Sequence, residues 1–315
     1  MDRDAVNSRI GWARAALHRQ GFAGIRLPGK VRMGAWSMLA RFQTDQGAVW
    51  LKYVRGAYRQ EPALTAFVHR LAPDLVPELL ASDDALACWL VRDVGARFAM
   101  HMAQARGPAL MAMIDHHAAL QAATLECGDE LRRLGAKDLR PQNYPRYLDD
   151  LLHAEEVLAQ DGVGAETVAA LARAMDPLRR VAMALVALNP PQTLVHMDLR
   201  LTNLKQGAHG LRIIDWGDGG VGPAFLDPVP LYSELDLGGV ASEPLKARQV
   251  SHWQSGGDPR DLARAQSLCR IVFPLLYAHG LVHSRPSREE TLRAGFSGYL
   301  RGYLDIFLRR LTTYY

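Results

Sequence analysis

The chain has 315 residues, of which 49% are hydrophobic and 22% are charged, close to the average for a globular protein. This length suits two lobes that share a cleft better than one ordinary domain, and the apolar content argues against disorder. The net charge is +4 and no run of five basic residues occurs, so charge alone does not distinguish a nucleotide ligand from nonspecific nucleic-acid contact.

The cysteines and the N-terminal segment indicate the cellular compartment. Cys88, Cys127 and Cys269 are odd in number and lack C-x-x-C spacing, which argues against a disulfide framework and a zinc site. The first twenty residues lack the apolar core of about 7 to 15 residues that a signal peptide needs. No uninterrupted apolar stretch of about 18 residues occurs, so we expect a cytoplasmic protein without a membrane partner.

The N-terminal third alternates between helical and strand-like patterns. Residues 4–20 carry apolar side chains at helical spacing, and residues 25–54 contain the β-type runs SMLARFQT and AVWLKYV around the turn residues DQG. These runs predict a hairpin. Side chains alternate along a strand, so Lys52 shares a face with Trp50 and Val54.

The remaining pattern predicts an α+β protein with two lobes. Residues 61–72 return to helical spacing, and the short apolar runs VPELLAS and LACWLVRDVG follow. After about residue 107 the pattern is helical, except between residues 193 and 214, where β-like runs flank a polar loop. We therefore expect a smaller lobe at 1–95, with a β-sheet, and a larger helical lobe at 96–315.

The segment 193–220 concentrates the candidate chemistry. His196, Asp198, Asn203 and Asp215 form the pattern H-x-D-x-x-x-x-N, followed by an apolar run and an Asp. Phosphoryl transfer needs an oriented hydroxyl, a group that takes its proton, and cations that neutralise phosphate charge. Asp198 is the candidate base, the oxygens of Asn203 and Asp215 are candidate Mg²⁺ ligands, and His196 is expected to hold the loop. The alternative is an ordinary polar loop between two strands.

Two further residues of this segment have open roles. Arg200 is a candidate catalytic residue whose cation would lie over the γ-phosphate; otherwise it is a surface arginine. Asp218 either reaches a metal-bound water or makes a turn.

Candidate nucleotide-binding residues lie in the first lobe. Lys52 is expected to hold the α- and β-phosphates, fixed by Glu61, although the proline at position 62 allows Glu61 to be a helix cap, with Glu78 as the alternative partner. Arg92 and Val94 belong to the connector whose backbone would read adenine. The phosphate loop is poor in glycine, because RMGAWSML has one glycine and no G-x-G-x-x-G occurs.

At these residues the sequence resembles the aminoglycoside phosphotransferase and choline kinase family, whose loop usually reads H-G-D-x-x-x-x-N and whose metal-binding acid lies in I-D-W or I-D-F. Here the motifs are HMDLRLTN and IIDW. The resemblance implies a bilobal protein-kinase-like fold, ATP and Mg²⁺ as cofactors, and the roles given above to Lys52, Asp198, Asn203 and Asp215. It extends to Asp227, which resembles the structural acid found in G-x-x-x-x-D.

The chain departs from that family at two places. Met197 replaces the usual glycine of the loop, and the phosphate-binding loop has few glycines. The segment GAWS is also similar to uncharacterised bacterial members of the family. Met197 bears on turnover more than on fold, and the sparse glycines bear on the backbone contact to phosphate.

Several other residues carry weaker signals. His116 and His117 are adjacent on a helix, so their imidazoles do not share a face and a joint metal role is not expected. Trp253 and the aromatic stripe Tyr299, Tyr303 and Phe307 predict core packing or an acceptor-pocket wall. Acidic candidates for an aminoglycoside groove are Asp149, Asp150, Glu155, Glu156, Glu234 and Asp236.

The leading hypothesis is an ATP- and Mg²⁺-dependent phosphotransferase that acts on a hydroxyl of a small molecule, such as an aminoglycoside-like antibiotic, an amino-alcohol or a sugar. We expect a monomer or homodimer. The alternative, suggested by Met197 and the sparse glycines, is a nucleotide-binding regulatory pseudokinase; intact Asp198, Asn203 and Asp215 argue against it. A specific nucleic-acid partner is not expected, because no recognised binding motif accompanies the charge.

Overall fold

The computed structural model describes residues 3–34, 36–54, 56–105, 107–208, 210–284 and 298–314. The N-terminal part contains the helices α1 (Arg3–Arg19) and α2 (Glu61–Leu71). It also contains the strands β1 (Val31–Met33), β2 (Ser37–Thr44), β3 (Gly47–Val54), β4 (Leu79–Asp83) and β5 (Cys88–Arg92). These strands form one antiparallel sheet in the order β1-β2-β3-β5-β4.

The predicted hairpin of β2 and β3 is confirmed. The strands pair residue for residue from Thr44 opposite Gly47 onward, which leaves a two-residue turn, and Gly47 has a φ of 100° that favours glycine. Leu51 points into the core beneath α1, while Trp50 and Lys52 line a cleft on the opposite face of the sheet. The alternation of the strand thus places Lys52 in the cleft.

The second part is mainly helical. Its helices are α3 (Met100–Ala105), α4 (Gly107–Ala123), α5 (Gly128–Arg133), α6 (Tyr144–Leu152), α7 (Glu155–Gln160), α8 (Ala165–Arg173), α9 (Met175–Leu188), α10 (Val229–Leu237), α11 (Glu243–Ser251), α12 (Pro259–Ser284) and α13 (Tyr299–Tyr314). Short 3₁₀ turns occur at Gly56–Tyr58, Pro141–Asn143, Leu201–Asn203, Trp216–Asp218, Ala224–Leu226 and Gln254–Gly256. A sheet-bearing first part and a helical second part confirm the predicted bilobal α+β class.

Two small sheets lie in the second part. One contains β6 (Ala96–Arg97), β9 (Leu204–Gly207) and β10 (Gly210–Ile213) in the order β10-β9-β6. The other contains β7 (Lys137–Asp138), β8 (Gln192–Val195) and β11 (Gly220–Pro223) in the order β7-β11-β8. The strand β6 pairs with β9, so residues 96 and 97 belong to a sheet of the second part, and the lobe boundary at residue 95 stays a prediction.

The expectation that strands after residue 107 are confined to 193–214 is wrong, because β7 and β11 lie outside that range. The sequence of β11, GVGP, lacks the β-branched pattern of a strand. A Cβ on Gly220 would lie 2.4 Å from Cδ1 of Leu139, and one on Gly222 would lie 2.9 Å from its Cβ. Close packing of Leu139 therefore requires glycines here and removes the usual strand signal.

The main helical core surrounds α12. Trp253 and Phe307 are buried in it, as the core reading of these aromatics predicts. By length and mean hydropathy (1.2), α12 could cross a membrane, but 56% of its apolar window is buried inside the protein, as also occurs in core helices of globular proteins. The helix packs against α6, α9 and α13.

Trp36, Tyr58 and Gln60 of the first lobe form hydrogen bonds with the second lobe. Trp36 Nε1 donates to the backbone oxygen of Ser284 (3.1 Å), and the Tyr58 hydroxyl bonds to Ser284 Oγ (2.9 Å). Gln60 Nε2 donates to the backbone oxygen of Gly217 (2.6 Å). The last turn of α12 is therefore tied to the sheet-bearing lobe, across the mouth of the cleft.

Candidate active site

A buried carboxylate holds the loop that follows β8. The backbone N–H of Met197 donates to Asp227 Oδ1 (2.9 Å), and that of His196 donates to Asp227 Oδ2. Asp227 is fully buried, and His117 Nε2 lies 3.4 Å from its Oδ2. Met197 has a φ of 66°, in the left-handed region that favours glycine, which explains why the resembled family usually has glycine there.

His196 links the loop to the segment before Asp215. The backbone N–H of Asp198 donates to His196 Nδ1 (3.2 Å), so the ring proton is on Nε2, which donates to the backbone oxygen of Ile214 (2.9 Å). The ring packs edge-on against Trp216, with 4.7 Å between ring centroids. These contacts position the loop, which is the role predicted for His196.

Three side chains orient the carboxylate of Asp198. Arg200 Nε donates to Oδ1 at 2.7 Å, Tyr277 OH donates to Oδ1 at 3.1 Å, and Asn203 Nδ2 donates to Oδ2 at 2.9 Å. Burial raises the pKa of Asp198 above its ordinary range, against the opposing charge of Arg200. A fixed carboxylate with a raised pKa is suited to take a proton from a hydroxyl.

Lys52 lies between two carboxylates. Its Nζ is 2.6 and 2.7 Å from the two oxygens of Glu61 and 2.6 Å from Asp215 Oδ1. Burial lowers the pKa of Lys52, but the charges of Asp215 and Glu61 outweigh burial and raise it above its ordinary value. The ammonium is therefore charged, and it joins the sheet of the first lobe to the segment after β10.

The structure brings Lys52 together with Glu61, and Glu78 has a different partner. Glu61 is the first residue of α2, and the preceding Gln60 occupies the cap position. Glu78 Oε2 instead accepts from Arg92 Nε at 2.5 Å.

The oxygen atoms near Asp198 are suitable ligands for a hard cation. The amide nitrogen of Asn203 donates hydrogen bonds to Asp198. The amide oxygen of Asn203 is therefore the atom that can bind a cation. Desolvation raises the pKa of Asp215, but the Lys52 ammonium outweighs it and holds the pKa below its usual range. An amide oxygen and an ionised carboxylate are the ligand types that Mg²⁺ prefers. Asp218 lines the same cavity as Asp198 and Asp215, and accepts from Lys137 Nζ at 2.6 Å.

A cavity of about 210 Å³ lies between the sheet and the Asp215 segment. Trp50, Trp89 and Leu39 line it with apolar surface. The predicted connector residues Arg92 and Val94 also line it. Glu78 accepts from Arg92 Nε with its side chain and from the N–H of Arg92 with its backbone oxygen (3.1 Å), and the reading of adenine by the connector backbone stays a prediction.

The β1–β2 turn stands where the glycine-poor phosphate loop was predicted. The N–H of Gly34 donates to the backbone oxygen of Ser37 (2.8 Å), while the alanine at position 35 lies outside the described residues. Arg32 and Lys205 add two cations to the cavity wall. Neither cation stood out in the sequence, because the two residues belong to different lobes and only the fold brings them together.

Arg200 is directed toward α13 as well as toward Asp198. Its Nη2 lies 3.2 Å from the hydroxyl of Tyr303, and its Nη1 lies 3.9 Å from Glu234 Oε1. The side chain is 18% exposed, so it is not an ordinary surface arginine. Tyr277, which binds Asp198 together with Arg200 and Asn203, was missed by sequence reasoning, because it lies 79 residues from Asp198 in an apolar helical run.

A cleft, a Lys–Glu pair and a loop carboxylate between two lobes define the class of kinase-like phosphotransferases. A model described as the phosphotransferase enzyme family matches residues 36–266. The chain belongs to this family, and the predicted family assignment is confirmed. A comparison with curated proteins finds no match.

Solved structures share the fold at low identity. The choline kinase LicA from Streptococcus pneumoniae is 13% identical, with a TM-score of 0.65 over 96% of this chain and 98% of that chain. The choline kinase from Cryptosporidium parvum Iowa II is 11% identical, with a TM-score of 0.68 over 96% of each chain. The ADP-bound aminoglycoside phosphotransferase APH(2'')-Ib is 13% identical, with a TM-score of 0.55 over 99% of each chain.

Proposed function

We propose that the protein transfers the γ-phosphate of ATP to a hydroxyl group of a small molecule in a Mg²⁺-dependent reaction. The observation that carries the proposal is the convergence of Lys52, Asp215 and Asp198 on one cleft between the lobes. The kinases to which the chain is similar act on choline or on aminoglycosides by name, and one of them is ADP-bound.

Each residue has a separate task in this reaction. Lys52, charged and fixed by Glu61, would bind phosphate oxygens of the nucleotide. Asp198 would accept the proton of the acceptor hydroxyl. The hydrogen bonds from Tyr277 and Arg200 would keep its carboxylate oriented. Mg²⁺, held by residues 203 and 215, would supply charge neutralisation at the phosphates.

The acceptor site is expected beside Asp198, where two cavities meet at Arg200. One is lined by Trp36, Tyr277 and Tyr299 together with Asp198. The other, of about 570 Å³, lies between α10, α12 and α13. Its charged lining residues are Arg200, Glu234, Asp236, Arg270, Arg309 and Arg310.

Arginine outnumbers acid in the second cavity. Of the six acidic residues considered for an aminoglycoside groove, only Glu234 and Asp236 line it. We therefore expect a neutral or anionic hydroxyl compound to bind there more readily than a polycation.

Phosphate transfer from [γ-³²P]ATP to a panel of neutral, anionic and cationic hydroxyl compounds tests the proposal. The wild type is expected to label one acceptor class, and Asp198→Asn is expected to lose that transfer while it still binds nucleotide. Asp149→Asn, a change at an exposed acid of α6, is the matched control. Nucleotide binding without hydrolysis or transfer in the wild type would favour the regulatory alternative.

A further inference from the structure

Asp150, His279 and His283 converge outside the cleft, where α6 packs against the second half of α12. One possible ligand atom from each residue lies within 4.8 Å of the other two. His279 Nε2 is already 3.2 Å from Asp150 Oδ2, and both residues are partly buried. His283 is exposed, so an ion can reach the cluster from solvent.

The helix geometry prepares the two imidazoles for a shared ion. His279 and His283 are four residues apart on α12 and therefore share a face, with 4.2 Å between their ring centroids. The Nδ1–H of His283 donates to the backbone oxygen of His279 (3.0 Å), which leaves the lone pair on Nε2. The ring of His279 packs on Tyr147 of α6, with 4.3 Å between centroids, which limits its movement.

We propose that Asp150, His279 and His283 form a site for Zn²⁺. Two imidazole nitrogens and a carboxylate oxygen are a donor set for zinc, with water completing the tetrahedron, and they suit zinc better than the hard ion Mg²⁺. The site shares no residue with the candidate Mg²⁺ ligands Asn203 and Asp215, so it stands independently of the proposed function.

The position of the site gives the ion a structural consequence. His283 immediately precedes Ser284, whose backbone oxygen and hydroxyl bond to Trp36 and Tyr58 of the first lobe. An ion shared by α6 and α12 would brace the helix turn that carries these contacts. Zinc is therefore expected to raise the melting temperature of the protein.

Calorimetric titration of the full, tag-free chain with Zn²⁺ tests the site. Excess Mg²⁺ is present to occupy oxygen-ligand sites, and nucleotide is absent. We expect one Zn²⁺ per chain, and His283→Ala is expected to weaken binding by at least about tenfold. The exposure of His283 keeps the risk of misfolding small. His153→Ala is the control, because it removes another histidine of the second lobe, which lies 3.7 Å from Asp149 four residues before it.

A spectroscopic readout with Co²⁺ accompanies the titration. The wild type and His153→Ala are expected to show the visible absorption of tetrahedral Co²⁺ and a zinc-dependent rise in melting temperature, and His283→Ala is expected to show neither. Absence of Zn²⁺ binding to the wild type would overturn the proposal. Equal affinity of His283→Ala and the wild type, or an equal loss in His153→Ala, would also overturn it.

Discussion

Replacing Met197 by glycine separates backbone strain from packing in the catalytic loop. The left-handed conformation of Met197 costs a residue with a side chain about 1 to 2 kcal/mol, which glycine would relieve. The greater freedom of glycine in the unfolded chain offsets about 0.4 to 1 kcal/mol of that gain. Met197 is also 3% exposed within the main helical core, and truncation of a buried methionine costs about 2 to 5 kcal/mol.

Packing therefore outweighs strain at Met197. We expect Met197→Gly to lower the free energy of unfolding by about 0.4 to 5 kcal/mol. Met197→Ala loses the packing and keeps the strain, so it should be less stable than the glycine variant. Urea denaturation followed by tryptophan fluorescence measures the free energy of unfolding. We expect it to be highest for the wild type, lower for the glycine variant and lowest for the alanine variant. A glycine variant more stable than the wild type, or an alanine variant more stable than the glycine variant, would refute this reasoning.

Three further predictions concern neighbouring contacts. Tyr277→Phe removes a donor that favours the ionised form of Asp198, so the acid limb of the kcat/KM profile should move up by about 0.5 to 1 pH unit; an unchanged limb would contradict this. Lys52→Met should lower kcat/KM for transfer by about 10² to 10³, whereas Lys246→Met, on α11, should leave it unchanged. Asp227→Ala leaves two buried loop N–H groups unpaired and should cost about 2 to 6 kcal/mol in urea denaturation; an unchanged midpoint would show that the loop is held otherwise.

The elements with strong local patterns could be predicted from the sequence. Helix α1, the β2–β3 hairpin and helix α2 appear where apolar spacing indicated them, because each buries one face against a neighbour. The strand β11 could not be found in this way. Its glycines are set by the close approach of Leu139, a contact between residues about 80 positions apart in the chain.

In the candidate site, too, some residues have a local sequence pattern and others are placed by distant contacts. Asp198, Asn203 and Asp215 lie within 18 residues of one another, joined by the paired strands β9 and β10, so their spacing in the sequence reflects one local segment. Tyr277 and Lys137 join this site only through tertiary packing, and neither has a local signal. The raised pKa of Asp198 likewise follows from burial, which no motif specifies.

The central claim is that Asp198 is the base of a Mg²⁺-dependent phosphate transfer. Hydrolysis of ATP, in which water replaces the unknown acceptor, tests it without knowledge of the substrate. The account predicts slow, Mg²⁺-dependent ADP release by the wild type and a loss of about 10² to 10⁴ in Asp198→Asn, with nucleotide affinity unchanged. Equal rates of ADP release in the two proteins would contradict the account.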